Sequence, residues 1–255
     1  MDKHIGAQFY TIRDYIQTIE DFDKSCKKLS DIGYKLIQVS GTPLKANEMR
    51  EVLDKYGMYA CSSHRSFTDF QNNLDEVIEY NKILGCEVCG LGSAPLEYMR
   101  SNEALTGFIN EANKISEIIK KEGMSFGYHN HATEFLKLDG KYIFDRLVEE
   151  MDPDAGFILD TYWCQVGGQN PVKIINDLGK RAVIMHYKDY AVNPDNVLTC
   201  EITEVGNGNL YWDEIIEATE KAGSKWVVVE QDTSRMNPFD SLKISYDFLT
   251  KKGFI

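Results

Sequence analysis

Eight short apolar runs recur along the chain: Ile5–Thr11, Lys35–Ser40, Met58–Ser63, Glu87–Gly92, Met124–His129, Gly156–Asp160, Ala182–Tyr187 and Trp226–Glu230. Several are apolar at almost every position rather than at alternate ones. That pattern predicts strands covered on both faces, as in a parallel sheet. Between the runs, apolar residues fall at helical spacing. Met49, Val52, Leu53 and Tyr56 form one stripe, and Leu74, Val77 and Ile78 a second. Phe108, Ala112, Ile115 and Ile119 form a third, and Ile143, Phe144, Leu147 and Val148 a fourth. Gly33, Gly57, Gly85, Gly123 and Gly223 each stand between a stripe and the next run, where a helix end favours a residue at ease with positive φ. Asn170-Pro171 and Asn237-Pro238 read as an N-cap followed by proline in the first helical position.

The runs start about every 32 residues, with no Gly/Ser-rich linker between them. Eight consecutive strand–helix units predict an α/β protein, a (β/α)8 TIM barrel occupying residues 1–255 as one domain. An open doubly wound sheet fits the same alternation, but no GxGxxG or GxxxxGK[ST] loop follows any run. A hydrophobic content of 43% supports a large core. With 28 basic and 40 acidic residues the net charge is −12, which disfavours nucleic acid and anionic membranes as partners. No stretch approaches the roughly 18 apolar residues of a membrane span, and the first residues lack a signal-peptide core. The expected location is the cytoplasm, with the six scattered cysteines reduced. Cys86 and Cys89 form a CxxC without a second pair to complete a zinc ribbon, so they are expected to be buried structural thiols.

A barrel of this kind carries its active site at the C-terminal ends of the strands. Gln8, Tyr10 and Arg13 lie near the end of the first run, Gln38 and Ser40 close the second, and Ser62 to Arg65 close the third. His129 and His131 end the fifth, Asp160 to Trp163 the sixth, His186 to Asp189 the seventh and Glu230 to Asp232 the eighth. Any one of these alone is as well explained by a hydrogen bond to a loop. Together, His129 or His131 with Asp160, His186 and Glu230 place mixed imidazole and carboxylate donors on four successive strands. That set suits Mn²⁺, Zn²⁺, Co²⁺ or Fe²⁺.

The segments FGYHNHATEF, ILDTYWCQVGGQNPV, MHYKDY, EVGNGNLYWDEII and VVVEQD, in that order, resemble the xylose isomerase-like barrel superfamily. The resemblance runs from IGAQFYTIRD onward and is nearest to the sugar phosphate isomerase/epimerase branch, which includes inosose dehydratases and ketose 3-epimerases. It implies a divalent metal, Mn²⁺ first and Zn²⁺, Co²⁺, Fe²⁺ or Mg²⁺ otherwise, with Asp160, His186 and Glu230 as the second, third and fourth ligands. The first ligand departs from the epimerase pattern, because His129 stands where those enzymes have a glutamate that faces the last one across the substrate carbon, the two exchanging that carbon's proton. The resemblance further implies a small carbohydrate substrate and a homo-oligomer, dimer or tetramer. Apurinic-site endonucleases share the fold, but five histidines and a charge of −12 argue against a three-metal DNA-repair centre.

The implied activity is metal-dependent isomerisation or epimerisation of a keto-sugar or keto-inositol through an enediolate, with Glu230 as base or ligand. The departure at His129 leaves three routes open: His131 as general acid/base, Glu134 folding back to replace the missing carboxylate, or a lyase reaction in which water or a glycosidic oxygen is β-eliminated. Lys188 is a candidate donor to the developing oxyanion, or a rim lysine paired with Asp189. Trp163 and Tyr162 are candidates to wall a sugar face. Gln8, His64 with Arg65, Arg13 and Arg235 are candidates to bind distal hydroxyl or anionic groups. Gly206 to Asn209 reads as a turn leading into the seventh helix.

Overall fold

The computed structural model describes all 255 residues. The eight apolar runs become parallel strands β1 (Ile5–Gln8), β2 (Leu36–Val39), β3 (Tyr59–Arg65), β4 (Val88–Leu91), β5 (Ser125–His129), β6 (Gly156–Asp160), β7 (Ala182–Tyr187) and β8 (Trp226–Val229). Each strand pairs with the next, and β8 closes on β1, so the sheet is a complete barrel. Closure removes every edge, which suits strands with no solvated face.

The two faces of the sheet bury different sets. A cluster of 61 buried apolar residues fills the space between the strands and the surrounding helices. Inside the barrel Leu36, Cys61, Val88, Ile158, Ile184, Trp226 and Val228 form a separate apolar plug. One strand period above the plug the inward positions turn polar. Ile158 is followed by Asp160, Ile184 by His186, and Val228 by Glu230, all buried. A second layer of the barrel interior is thereby polar, on an apolar floor.

One irregularity aims a further residue inward. The β2–β3 register pairs Ile37 with Ala60 but Gln38 with Ser62, skipping Cys61. This bulge resets the parity of β3 and lets it run two residues past the predicted end, with His64 turned into the cavity. Gly90 makes room for it, since a Cβ there would lie 2.8 Å from the His64 ring and 2.7 Å from the Ser63 carbonyl. In contrast, β1 stops at Gln8 rather than Thr11. The Gln8 side chain accepts from Tyr10 N at 3.1 Å and starts a 3₁₀ turn over Phe9–Tyr15.

The helices follow the predicted stripes. Met49, Val52 and Leu53 are the buried face of α1 (Ala46–Lys55), and Phe108, Ala112, Ile115 and Ile119 belong to that of α2 (Asn102–Lys121). Asn170 and Asn237 cap their helices with proline following, and the five inter-element glycines all have positive φ. The cysteines form no disulfide, and burial pushes the thiols of Cys86 and Cys89 up, the latter to about 12, as structural cysteines require. No helix is long and apolar enough to cross a membrane.

The long connection after β7 forms a two-stranded hairpin, Asp189–Val192 with Cys200–Thr203, and returns through the Gly206–Asn209 turn. Five N–H groups converge on the Asp189 carboxylate: those of Tyr190, Gly206, Gly208 and Leu210, and the indole of Trp212. Gly206 has φ +92°, and a Cβ there would lie 2.3 Å from the Phe248 ring. Gly206→Ala is therefore expected to cost about 2–4 kcal/mol in urea unfolding, combining left-handed strain with overpacking. A loss below about 1 kcal/mol would show that the turn reshapes at little cost.

Candidate metal centre and active site

His129, Asp160, His186 and Glu230 bring one donor atom each to within 4.8 Å of one another, and all four are buried. Their outer contacts fix how the rings present themselves. His129 Nδ1 lies 2.9 Å from the Gly92 carbonyl, which can only accept, so the proton sits on Nδ1. The other nitrogen, Nε2, then turns a lone pair toward Asp160 Oδ2 at 3.6 Å and has no hydrogen-bond partner. His186 repeats the arrangement: Nε2 faces the Gln38 side-chain oxygen at 2.5 Å, leaving Nδ1 2.8 Å from Glu230 Oε2. Two imidazole lone pairs that each face a carboxylate oxygen call for positive charge between them. Outer N–H groups held by carbonyl oxygens are what orients ligating histidines. The donor set is thus suited to a divalent transition metal.

The two rings differ in how their surroundings bear on a proton. Burial lowers the His129 pKa, but its contacts with Asp160 and Glu230 outweigh burial and raise it overall. Burial dominates at His186, which stays low. Asp160 is shared between two tasks, with Oδ1 capping α3 (Thr161–Val166) through Trp163 N at 2.9 Å and Oδ2 left facing the cluster.

Lys188 does not pair with Asp189, whose carboxylate is taken by the turn. Two residues beyond His186 on the same face, its ammonium reaches Glu230 at 2.9 Å, Asp232 at 3.0 Å and Asp160 at 3.1 Å, and it is 1% exposed. Burial opposes ionisation of Asp160 and Glu230, but Lys188 beside them outweighs it and holds both below the usual carboxylate range. Asp232 goes the other way, raised by burial and by the neighbouring Glu230 charge.

Above the cluster opens a cavity of about 590 Å³ at the C-terminal strand ends. Of the residues named in the sequence, Tyr10, Arg13, Ser40, His64, Arg65, His129, His131 and Glu230 line it, together with Asp232, to which the sequence pattern assigned no role. Gln8 lies behind the wall, donating to Gln38 at 2.7 Å and 3.4 Å from His64 Nδ1. Trp163 packs 5.3 Å from the His131 ring and borders an adjoining cavity of about 330 Å³ that His131 also lines. His131 departs from the expectation of a pKa near neutrality. Burial and the adjacent His129 push it down to about 3, leaving a neutral ring. Glu134 does not supply a ligand. Its carboxylate is turned to the outer face of β5, where it accepts from Tyr128 Oη at 2.7 Å and His131 N at 2.9 Å. Arg235 does not line the cavity either, because Asp195 and Glu201 of the hairpin segment hold it at the surface.

A family model described as the xylose isomerase-like TIM barrel matches residues 26–252. The inosose dehydratase of Clostridium beijerinckii is 21% identical over 271 residues, spanning 91% of this chain and 90% of its own. Among solved structures, a sugar phosphate isomerase/epimerase from Parabacteroides distasonis superposes with a TM-score of 0.78 at 21% identity, covering 97% of this chain and 93% of the other. A D-allulose 3-epimerase from Methylomonas sp. gives 0.74 at 13% identity, covering 98% and 97%. With a closed eight-stranded barrel and a match over nearly its whole length, the chain belongs to the xylose isomerase-like TIM barrel family.

Proposed function

We propose that the protein removes the proton next to the carbonyl of a polyhydroxy ketone, a keto-sugar or keto-inositol, and carries the reaction on to β-elimination of a hydroxyl. His129, Asp160, His186 and Glu230 would hold a divalent metal, Mn²⁺ in the first instance, which supplies Lewis acidity toward the substrate oxygens. The observation that carries elimination is the placement of acid residues. Glu230 and Asp232 are the acidic residues lining the cavity, and both come from the end of β8, whereas β5 offers imidazoles. An epimerase built on two facing carboxylates lacks its second one here.

In this reading Glu230 takes the α-proton. The electron pair of that C–H bond forms the new double bond as the β C–O bond breaks, and the oxygen leaves with a proton as water. Asp232, exposed to the cavity and hydrogen-bonded to Lys188, stands on the same wall to pass that proton. Lys188 keeps the Glu230 carboxylate ionised and fixed in place. The inosose dehydratase relative, which spans 91% of this chain, supports this reading.

Isomerisation or epimerisation is the second reading, and His131 is what favours it: a neutral imidazole lining the cavity just beyond β5, three strands round the barrel from Glu230. Incubation with Mn²⁺ and a panel of inososes and 3-keto sugars in deuterated water separates the two. Loss of water with an ultraviolet-absorbing enone or dione is the expected result. Solvent deuterium in an epimer without water loss transfers the assignment to epimerase. No exchange with any ketone removes both.

A further inference from the structure

Gln8 and Gln38 stand opposite each other near the ends of β1 and β2, as Cα partners in the register, and both are fully buried. Partners on adjacent strands share a face of the sheet, so the two neutral amides meet each other. They also meet two imidazoles, those of His186 and His64.

The direction of every hydrogen bond in this group follows from one backbone donor. The N–H of Tyr10 can only donate, and it lies 3.1 Å from Gln8 Oε1, so the Gln8 amide nitrogen faces the other way. That nitrogen is 2.7 Å from Gln38 Oε1, which therefore accepts. The same oxygen is 2.5 Å from His186 Nε2, so Nε2 carries the proton and Nδ1 keeps its lone pair on the Glu230 side. The Gln8 nitrogen has a second hydrogen, and it faces His64 Nδ1 at 3.4 Å. A lone pair is required there too, which puts the His64 proton on Nε2. Gln38 gives up its own donors to fill this role, since its amide nitrogen is buried without a partner. Turning that amide over would set one NH₂ against another, so it stays.

The two rings thus end with opposite polarity. His186 offers a lone pair to the cluster of four donors. His64 lies alongside, its ring centre 5.4 Å from that of His186 and 5.0 Å from that of His129. Its Nε2 is buried and has no partner, on a side chain that lines the cavity. We infer, resting on the metal-centre reading given above, that Gln8 is a positioning residue and not a substrate contact: through one amide it holds His186 as a cation ligand and His64 as a hydrogen-bond donor. A protonated ring nitrogen has no lone pair for a metal, so three imidazoles meet at one site and only His129 and His186 are ligands.

Nitrogen NMR of the metal-free, full-length protein with labelled histidines reads this without metal or substrate, because the bare and protonated nitrogens of a neutral ring resonate apart. With each ring identified by its replacement, His64 and His186 are expected as Nε2–H rings. His129, bonded to the Gly92 carbonyl, is expected as an Nδ1–H ring. Gln8→Met, similar in size and without donors, should turn His64 and His186 into mixtures of both forms. His129 should keep its pattern, which shows the barrel intact. Electron paramagnetic resonance during Mn²⁺ titration should show binding weakened about tenfold in Gln8→Met, the usual scale for losing an outer partner, and unchanged in His64→Phe. His64 found as an Nδ1–H ring, both rings unmoved in Gln8→Met, or Mn²⁺ binding lost in His64→Phe overturns the inference. If Gln8→Met does not fold, the wild-type ring pattern still decides. Wild-type protein that binds no Mn²⁺ removes the metal centre instead, a failure distinct from that of the ring pattern.

Discussion

Glu230→Gln is expected to lower kcat by about 10³-fold or more, read as water loss or as deuterium exchange from the ketone. The amide keeps the size of the side chain but cannot take a proton, and removing a positioned general base typically costs about 10²–10⁴-fold. The loss falls at the upper end because Glu230 serves several partners at once. It lies 2.8 Å from His186 Nδ1 and 2.9 Å from the Lys188 ammonium as well as facing the cavity. Asp160→Asn separates the roles, since Asp160 belongs to the buried cluster and does not line the cavity. Metal analysis of both variants should show weaker retention in each. Restoring occupancy with excess Mn²⁺ should recover activity in Asp160→Asn far more than in Glu230→Gln. Retention of more than about a tenth of wild-type turnover by Glu230→Gln would place the base elsewhere.

The largest effect on stability is expected at Lys188. Its ammonium is almost fully buried and lies within 3.1 Å of three carboxylates, so Lys188→Met leaves those charges buried without compensation. Removing one partner of a buried ionic group costs about 3–5 kcal/mol. Chemical denaturation of metal-free protein should show that loss. Mn²⁺ should then stabilise the variant by more than it stabilises the wild type, because it supplies charge that the lysine no longer provides.

The acid side gives an independent check. Lys188 outweighs burial and holds Asp160 and Glu230 below their unfolded pKa values. Their contribution to stability is therefore full above about pH 4 and is lost as pH falls through the folded values. In Lys188→Met that acid-side slope should flatten. An unchanged stability curve would show that Asp160 and Glu230 do not depend on the ammonium.

The sequence carried the barrel and its cluster for a single physical reason. Strands buried on both faces read as nearly unbroken apolar runs, and the strand period of two then fixes which later residues point inward. Ile158 predicts the direction of Asp160, Ile184 that of His186, and Val228 that of Glu230. The signal fades where the backbone leaves that period. The β2–β3 bulge that turns His64 inward has no signature in composition. Asp232 stands three residues beyond the end of β8, where parity no longer applies.

Long side chains were harder still, because their partners choose the direction. Glu134 is drawn to Tyr128, Arg235 to the acidic hairpin, and Lys188 inward rather than to its neighbour Asp189. Gln38 was legible as a strand end but not as the acceptor that sets the His186 tautomer, since a neutral amide shows its use only through the ring it meets.

The Asp189 carboxylate has a consequence for how this protein can diversify. It follows Lys188 directly and gathers the N–H groups of Tyr190, Gly206, Gly208 and Leu210, so both feet of the hairpin are fastened to one point beside β7. The hairpin projects beyond that clamp and ends in the exposed residues Val197 and Leu198. Changes in its length or tip therefore exert no leverage on His186 or Lys188. The chain thus has a projecting segment that can change without Glu230 or the imidazoles having to be realigned.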